Sequence, residues 1–255
     1  MARIAAILAS ACAVAAAAPP TTHAPPCFVT INDLSLIPVD ARVIESPCFA
    51  TIYAAGPPSS YQVVLRSYPR DAAMLVEASI PDDPGNTFAQ NLFYTSSFIF
   101  GYFSGDYNSE QKNISNALTA PFILRPVSAE RGGDLTWVGA MALAPSLWPA
   151  GSSPPAPSLP NVNVRPFGDV VIASVPALLP AAPTEDDFRR AYLQLEELVN
   201  LLALPGTWVI NVSSPLTPSY SFFFNEAYNG SSYLIEASAE VYFQPPPQKA
   251  GHWQM

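Results

Sequence analysis

Apolar and polar residues alternate along much of this chain, and a helical period interrupts the alternation twice. Strand-like runs cover 61–67 and 72–80. From about 87 to 103, Phe88, Leu92, Phe93, Ile99, Phe100 and Phe103 recur mostly every three or four residues, which predicts a helix, although Thr95-Ser96-Ser97 weakens its middle. Strands follow near 117–124 and 135–144, and the pattern then recurs. Strands are predicted at 162–165 and 169–175, and a second helix at about 185–203. In that helix Phe188, Tyr192, Leu195, Val199 and Leu202 form one apolar stripe. Thr184 and Asp187 make a capping box after Pro183, and Pro205-Gly206 ends the run. The last strands fall at about 207–212, 219–225 and 233–243. Two consecutive ββαββ units are therefore readable. A four-stranded sheet with one helix leaves a face uncovered, so the halves should share one core. The expected class is α+β: a distorted eight-stranded antiparallel barrel from two ββαββ repeats, with two flanking helices.

Other segments read differently. Residues 27–60 are extended and turn-rich, and the Pro/Ser run at 145–160 reads as a solvated surface loop, not a domain boundary. Residues 1–18 read as a signal peptide: Arg3 precedes an apolar run from Ile4 to Ala18, with small-residue cleavage options such as Ala13-Val14-Ala15. A transit peptide is the alternative, but those are rich in Arg and Ser. Residues 19–44 form an extended N-terminal segment, 45–244 the domain, and 245–255 a C-terminal tail.

Composition narrows the function. The chain of 255 residues is 49% hydrophobic and only 12% charged, with a formal charge of −9 and 29 prolines. An acidic surface without clustered Lys and Arg is a poor nucleic-acid ligand. No later segment reaches the length of a membrane span. The reading is a secreted protein or one in the secretory lumen. Beyond the leader, Cys27 and Cys48 remain, an even pair suited to a disulfide in an oxidising compartment; two buried free thiols are the alternative. Asn113, Asn211 and Asn229 each begin an N-x-[ST] sequon and are candidate glycosylation sites.

Four degenerate motifs stand in a fixed order. Phe100-Gly101-Tyr102-Phe103-Ser104-Gly105, a polar turn and Leu118-Thr119-Ala120-Pro121-Phe122 resemble the L-F-x-Y-I-x-G…K-I-x-M-T-x-P-V pattern of the SOUL haem-binding family. Glu45-Ser46-Pro47 with Tyr61 to Tyr68 resembles the E-C-P-x-Y…Y-E-I-R-x-Y of its green-plant members. Tyr228-Asn229-Gly230-Ser231 and Glu240-Val241-Tyr242 resemble Y-N-S-P-F…N-E-[VI]-W. The Lys-Ile before Leu118 is missing, and Ala239 and Tyr242 replace Asn and Trp. The resemblance spans about 45–243 and implies a non-enzymatic protein that binds haem or another tetrapyrrole in an apolar groove.

The two histidines, His23 and His252, lie outside the domain, so no axial imidazole is expected. Met74, Met141, Tyr102 and Tyr228 are the other candidate ligands to iron. A groove would draw on Phe93, Phe100, Tyr102, Phe103 and Tyr228, with Arg66, Arg70 or Arg125 meeting propionates. No metal cluster or G-x-S-x-G motif is present. A carboxylate hydrolase built on Glu226, Glu236 and Glu240 is a third reading. The second is a binding module for another apolar ligand or a cell-surface partner.

Overall fold

The computed structural model describes residues 27–30, 43–54, 63–81, 86, 88–114, 122–128, 135–144, 147–148, 152–180, 182–201, 207–214, 216–222 and 232–245. Short strands β1 (Cys27–Thr30), β2 (Val43–Ser46) and β3 (Ala50–Ala54) come first. The first unit is β4 (Val64–Tyr68), β5 (Ala73–Pro81), α1 (Phe88–Ser104), β6 (Phe122–Ser128) and β7 (Leu135–Ala142). The second is β8 (Val162–Phe167), β9 (Val170–Pro180), α2 (Glu185–Leu201), β10 (Thr207–Ile210), β11 (Ser219–Phe222) and β12 (Ser232–Gln244). The α+β class and the two-unit pattern hold.

All ladders are antiparallel, and the main sheet runs β3-β4-β9-β12-β11-β6-β7-β5-β8, with β10 added beside β12. Among the described residues no ladder joins β8 back to β3, so the sheet is open and the closed barrel expected from sequence is not observed. It has ten strands where eight were predicted. Beyond the eight of the expected barrel stand β3, in a segment read only as extended, and β10, which matches the strand expected at about 207–212. The order interlocks the units. The first strand of each, β4 or β8, pairs with the second strand of the other unit's half, β9 or β5. Neither unit can leave without breaking a central ladder.

Alternation along the strands then sorts the side chains. Leu65, Ala173, Val175, Ile235, Ala237, Ala239 and Val241 point to the face that carries the core, with both helices packed over it. Helix α2 follows the predicted stripe: Phe188, Leu195 and Val199 are buried and Tyr192 is partly so, while Leu202 lies outside the described residues. Its capping half-box forms, with the Thr184 backbone N–H donating to Asp187 Oδ2 at 2.8 Å. In α1 the polar middle does not break the helix. Thr95 Oγ1 donates back to Asn91 O at 2.9 Å, and Ser97 Oγ to Phe93 O at 2.7 Å. Thr95 also marks a close approach of α1 to the sheet. A β-carbon on Gly139 of β7 would stand 2.8 Å from that of Thr95 and 2.7 Å from the Phe122 ring.

The 145–160 loop is not simply solvated. Its described part packs on the end of α1: Tyr102 donates its hydroxyl to Pro155 O at 2.6 Å, and Ser109 N donates to Ala156 O at 2.8 Å. Proline-rich extended chain offers carbonyls, and the last turn of α1 and the turn after it supply the donors.

Candidate functional site

The face of the sheet opposite the helices is the unusual one. A solvated antiparallel sheet would carry ordinary surface polar residues there. Here cross-strand register places Glu236, Ser221, Ile123, Ala140 and Glu77 in one row across β12, β11, β6, β7 and β5. Ser174, Ser238 and Ser219 form a parallel row. Glu236, Ser221, Glu77, Ser174, Ser238 and Ser219 are all buried. This face therefore has its own closed interior.

Two ion-pair clusters hold its charged groups. Arg66 of β4 binds Glu236 bidentately, at 2.7 and 3.2 Å, and the two side chains are 6% and 3% exposed. Glu77 receives Arg125 at 2.7 Å and Arg165 at 2.7 and 2.8 Å. The arginines occupy equivalent places in the two units: Arg66 lies across from Ile172 of β9, and Arg165 across from Leu75 of β5. Burial alone would lower the Arg66 pKa, but the charge and hydrogen bonds of Glu236 outweigh it and leave it raised. Burial alone would raise Glu77, but the hydrogen bonds of Arg165 and the charge of Arg125 win and hold it below the usual carboxylate range.

Beside the first pair lies a cavity of about 60 Å³. Its polar end is Arg66, Glu236, Ser174, Ser219, Ser221 and Ser238; its apolar end is Leu75, Ala142, Phe167, Ile172 and Leu216. Ser174 and Ser238 share a hydrogen bond of 2.8 Å. Tyr68 stands between the two ends, its ring edge-on to Phe167 with centroids 5.0 Å apart. Desolvation, only partly offset by the Arg66 charge, raises the Tyr68 pKa, so it stays a neutral hydroxyl at physiological pH.

Two pieces of chain roof the cavity. Ser46 and Pro47 line it from one side. Phe49 follows, its ring 5.5 Å from the Arg66 guanidinium carbon and 5.7 Å from the Tyr68 ring. On the other side Glu240 fastens the 211–217 loop by accepting from Asn211 Nδ2 at 3.0 Å and from Ser214 Oγ. That loop delivers Leu216. A wider, open groove of about 400 Å³ runs between β9 and α2, but it is flanked by an Arg190–Asp187 ion pair and gathers no aromatic side chain.

Set against known proteins, the chain matches no family model and no curated sequence. Among solved structures it is similar to the EcmrR C-terminal domain at 13% identity, covering 71% of this chain and 98% of that one, with a TM-score of 0.46. It is also similar to two Listeria innocua proteins at 8% identity, each comparison covering 72% of this chain and 93% of the other. One is an uncharacterised conserved protein, TM-score 0.46, and the other a hydrolase, TM-score 0.44. At these scores the likenesses carry nothing about function.

The groove residues proposed from sequence do not converge. Phe93 and Phe100 are 65% and 46% exposed on the outer side of α1, whereas Tyr102 and Phe103 are buried in the helix-side core. Arg66 lies on the opposite face of the sheet, tied to Glu236. Tyr228 lies outside the described residues, as do His23, His252, Glu226 and Asn229. Arg70 is exposed beside Asp71, and Arg125 is committed to Glu77. As a tyrosinate ligand Tyr102 is unfavourable, since burial pushes its pKa up to about 12. Met141 is core and Met74 packs against it. Glu236 and Glu240 do share a face, as their parity predicted, but Glu236 pairs with Arg66 and Glu240 holds a loop. Among the described residues no group of three or more His, Cys, Asp or Glu could hold a metal, and no helix is long and apolar enough to cross a membrane. Cys48 is disulfide-bonded, and β1–β2 register puts Cys27 opposite Ser46, two residues away. The Cys27 side chain lies outside the described residues. Asn113 is exposed, whereas Asn211 spends its amide on Glu240.

The serines were missed by sequence reasoning. The signal was present: Ser219-Tyr220-Ser221 and Glu236-Ala237-Ser238-Ala239-Glu240 put a polar residue at every second position of buried strands. So was the repeat Val63-x-x-Arg66-x-Tyr68 and Val162-x-x-Arg165-x-Phe167.

Proposed function

We propose that this is a secreted, non-enzymatic binding protein. Its ligand is a small neutral molecule with a flat apolar part and a hydrogen-bonding edge, held in the cleft on the helix-free face. The observation that carries the reading is the lining: six polar residues, all on strands, at one end and an apolar floor at the other. Arg66 and Glu236 satisfy one another, so the site has no net charge to offer an ion. A hydrolase lacks support, because each described candidate carboxylate is held in a structural bond.

The SOUL-type resemblance remains our reading of the motifs, but geometry favours a ligand smaller than a tetrapyrrole. Pockets for drug-sized ligands run to roughly 300–1,000 Å³, against about 60 Å³ here. Secretion is supported by the leader and by the bonded state of Cys48. We assign its partner as Cys27, and peptide mapping without reduction should recover that link.

The test is titration of the mature chain with phenol and indole, and separately with haemin and metal-free porphyrin, followed by NMR. Saturable shifts at Tyr68, Ser174 and Ser238 with the small probes, lost in Ala142→Leu, support the cleft. Absence of any shift at millimolar probe rejects it. Porphyrin binding indifferent to Ala142→Leu would restore the tetrapyrrole reading at another surface.

A further inference from the structure

Helices α1 and α2 occupy the same place in the two units and are buried in the same rhythm. Asn91, Thr95 and Ile99 of α1 are buried, as are Ala191, Leu195 and Val199 of α2. Their outer faces differ. On α2 that face carries Arg189, Arg190, Leu193, Gln194, Glu197 and Asn200, an ordinary solvated surface. On α1 it carries Gln90, Phe93, Tyr94, Ser97, Phe100 and Ser104, and the whole helix has no charged residue. Single exposed apolar residues are normal on a protein surface. Three aromatic rings in one uncharged stripe mark an interaction surface.

The serine hydroxyls of this face are already spent. Ser97 Oγ and Ser96 Oγ donate to Phe93 O at 2.7 and 2.9 Å, and Ser104 Oγ donates to Asp106 Oδ2 at 2.7 Å. Covering the stripe therefore strands no serine donor. The stripe is also symmetric about Ser97. Tyr94 and Phe100 lie three residues to either side of it, Phe93 and Gly101 four, and Gln90 and Ser104 seven. An antiparallel second copy, turned about a twofold axis at Ser97, sets Tyr94 against Phe100 of the other copy. It also sets Phe93 against Gly101 and the Tyr107 ring that covers it. The small residue at the centre lets the helix axes come within about 8–10 Å.

We infer that the outer face of α1 is a homodimer interface, on which a second copy of this chain docks antiparallel with the twofold axis beside Ser97. Charge selects this face. The chain carries a formal charge of −9, so two copies repel wherever acidic surfaces meet, and along this stripe they touch without apposing like charges. At each end Asp106, just past the helix, comes opposite the first turn of α1 in the other copy. That turn has no acidic residue, and its dipole favours a negative charge. The contact is isologous and closes at two copies. The proposed cleft lies on the opposite face of the sheet, so the dimer leaves both clefts open and is bivalent.

The experiment is sedimentation equilibrium of the mature chain over a range of concentrations. A single helix pair is smaller than a standard interface, so association in the micromolar range is expected, with the mass rising to twice that of the monomer. Ser97→Glu brings two carboxylates together at the axis and should weaken association at least about tenfold. The monomer tolerates it, since Glu197 stands at the matching place on α2. Under mild oxidation Ser97→Cys should cross-link to its own copy. Ser104→Cys should not, because its two copies lie about 20 Å apart at 1.5 Å per residue. A monomer at every concentration, or a dimer indifferent to Ser97→Glu, overturns the interface. Cross-linking through Ser104→Cys but not Ser97→Cys overturns the antiparallel pairing. A monomer that floats with phosphatidylcholine vesicles, and no longer does so as Phe93→Glu, overturns the dimer and gives the face to lipid. Each of these outcomes is independent of whether the cleft binds a ligand.

Discussion

Replacing Glu236 with Gln tests the interior on the helix-free face directly. The change keeps the shape of the side chain and removes one charge. It leaves the Arg66 side chain, 6% exposed, without this carboxylate. Two routes give the size. Unit charges about 4 Å apart at an effective dielectric of about 20 interact by about 4 kcal/mol. Removing one partner of a buried pair costs about 3–5 kcal/mol in other proteins. We expect about 3–5 kcal/mol here, near the low end because Gln keeps one acceptor for Arg66. Urea unfolding should show the loss in the midpoint with the slope unchanged. Thermal melting should fall by roughly 10 °C, at about 2–4 °C per kcal/mol for a domain of this size. The double change Arg66→Met with Glu236→Leu should recover most of the loss, because a buried pair can be replaced by apolar residues at little cost. A single-variant cost below about 1 kcal/mol is the range of exposed pairs. It would mean that water reaches Arg66, that Ser46 and Pro47 do not roof the cleft, and that the enclosed site does not exist.

Three further outcomes follow from the same contacts. Leu195→Ala, at a fully buried position on α2, should cost about 2–5 kcal/mol; less than about 0.5 kcal/mol in urea unfolding would place the helix stripe in solvent. Gly139→Ala drives a β-carbon to within 2.8 Å of Thr95 and 2.7 Å of Phe122, and should destabilise by about 1–3 kcal/mol through overpacking; a neutral melt would show that α1 can lift away there. Glu77 has a lowered pKa in the fold, so its stabilising contribution is full above the unfolded value of about 4.3 and is lost as pH falls through the folded value. Stability measured from pH 6 to pH 3 should therefore fall less steeply in Glu77→Gln than in the wild type, and parallel curves would refute the assignment.

What the sequence determined by itself was local. The period of Phe188, Leu195 and Val199 placed α2 and its buried side, because a helix stripe needs only residues within a few turns. The alternation placed most strands within a few residues, and repetition of the pattern gave the two-unit α+β arrangement. It did not give the closure of the sheet, which depends on whether β8 and β3 meet. Nor did it give the aromatic groove. Phe93, Phe100 and Phe103 lie within eleven residues of one another, yet the helix turns the first two outward and the third into the core. The site was decided by tertiary structure alone. Arg66 and Glu236 are 170 residues apart and meet only because β4 and β12 flank β9. Each residue was visible in the chain, but a buried charge has no local partner to announce it. The long-range strand order selects the partner, and the same order decides which face of each strand is closed over by Pro47 and Leu216.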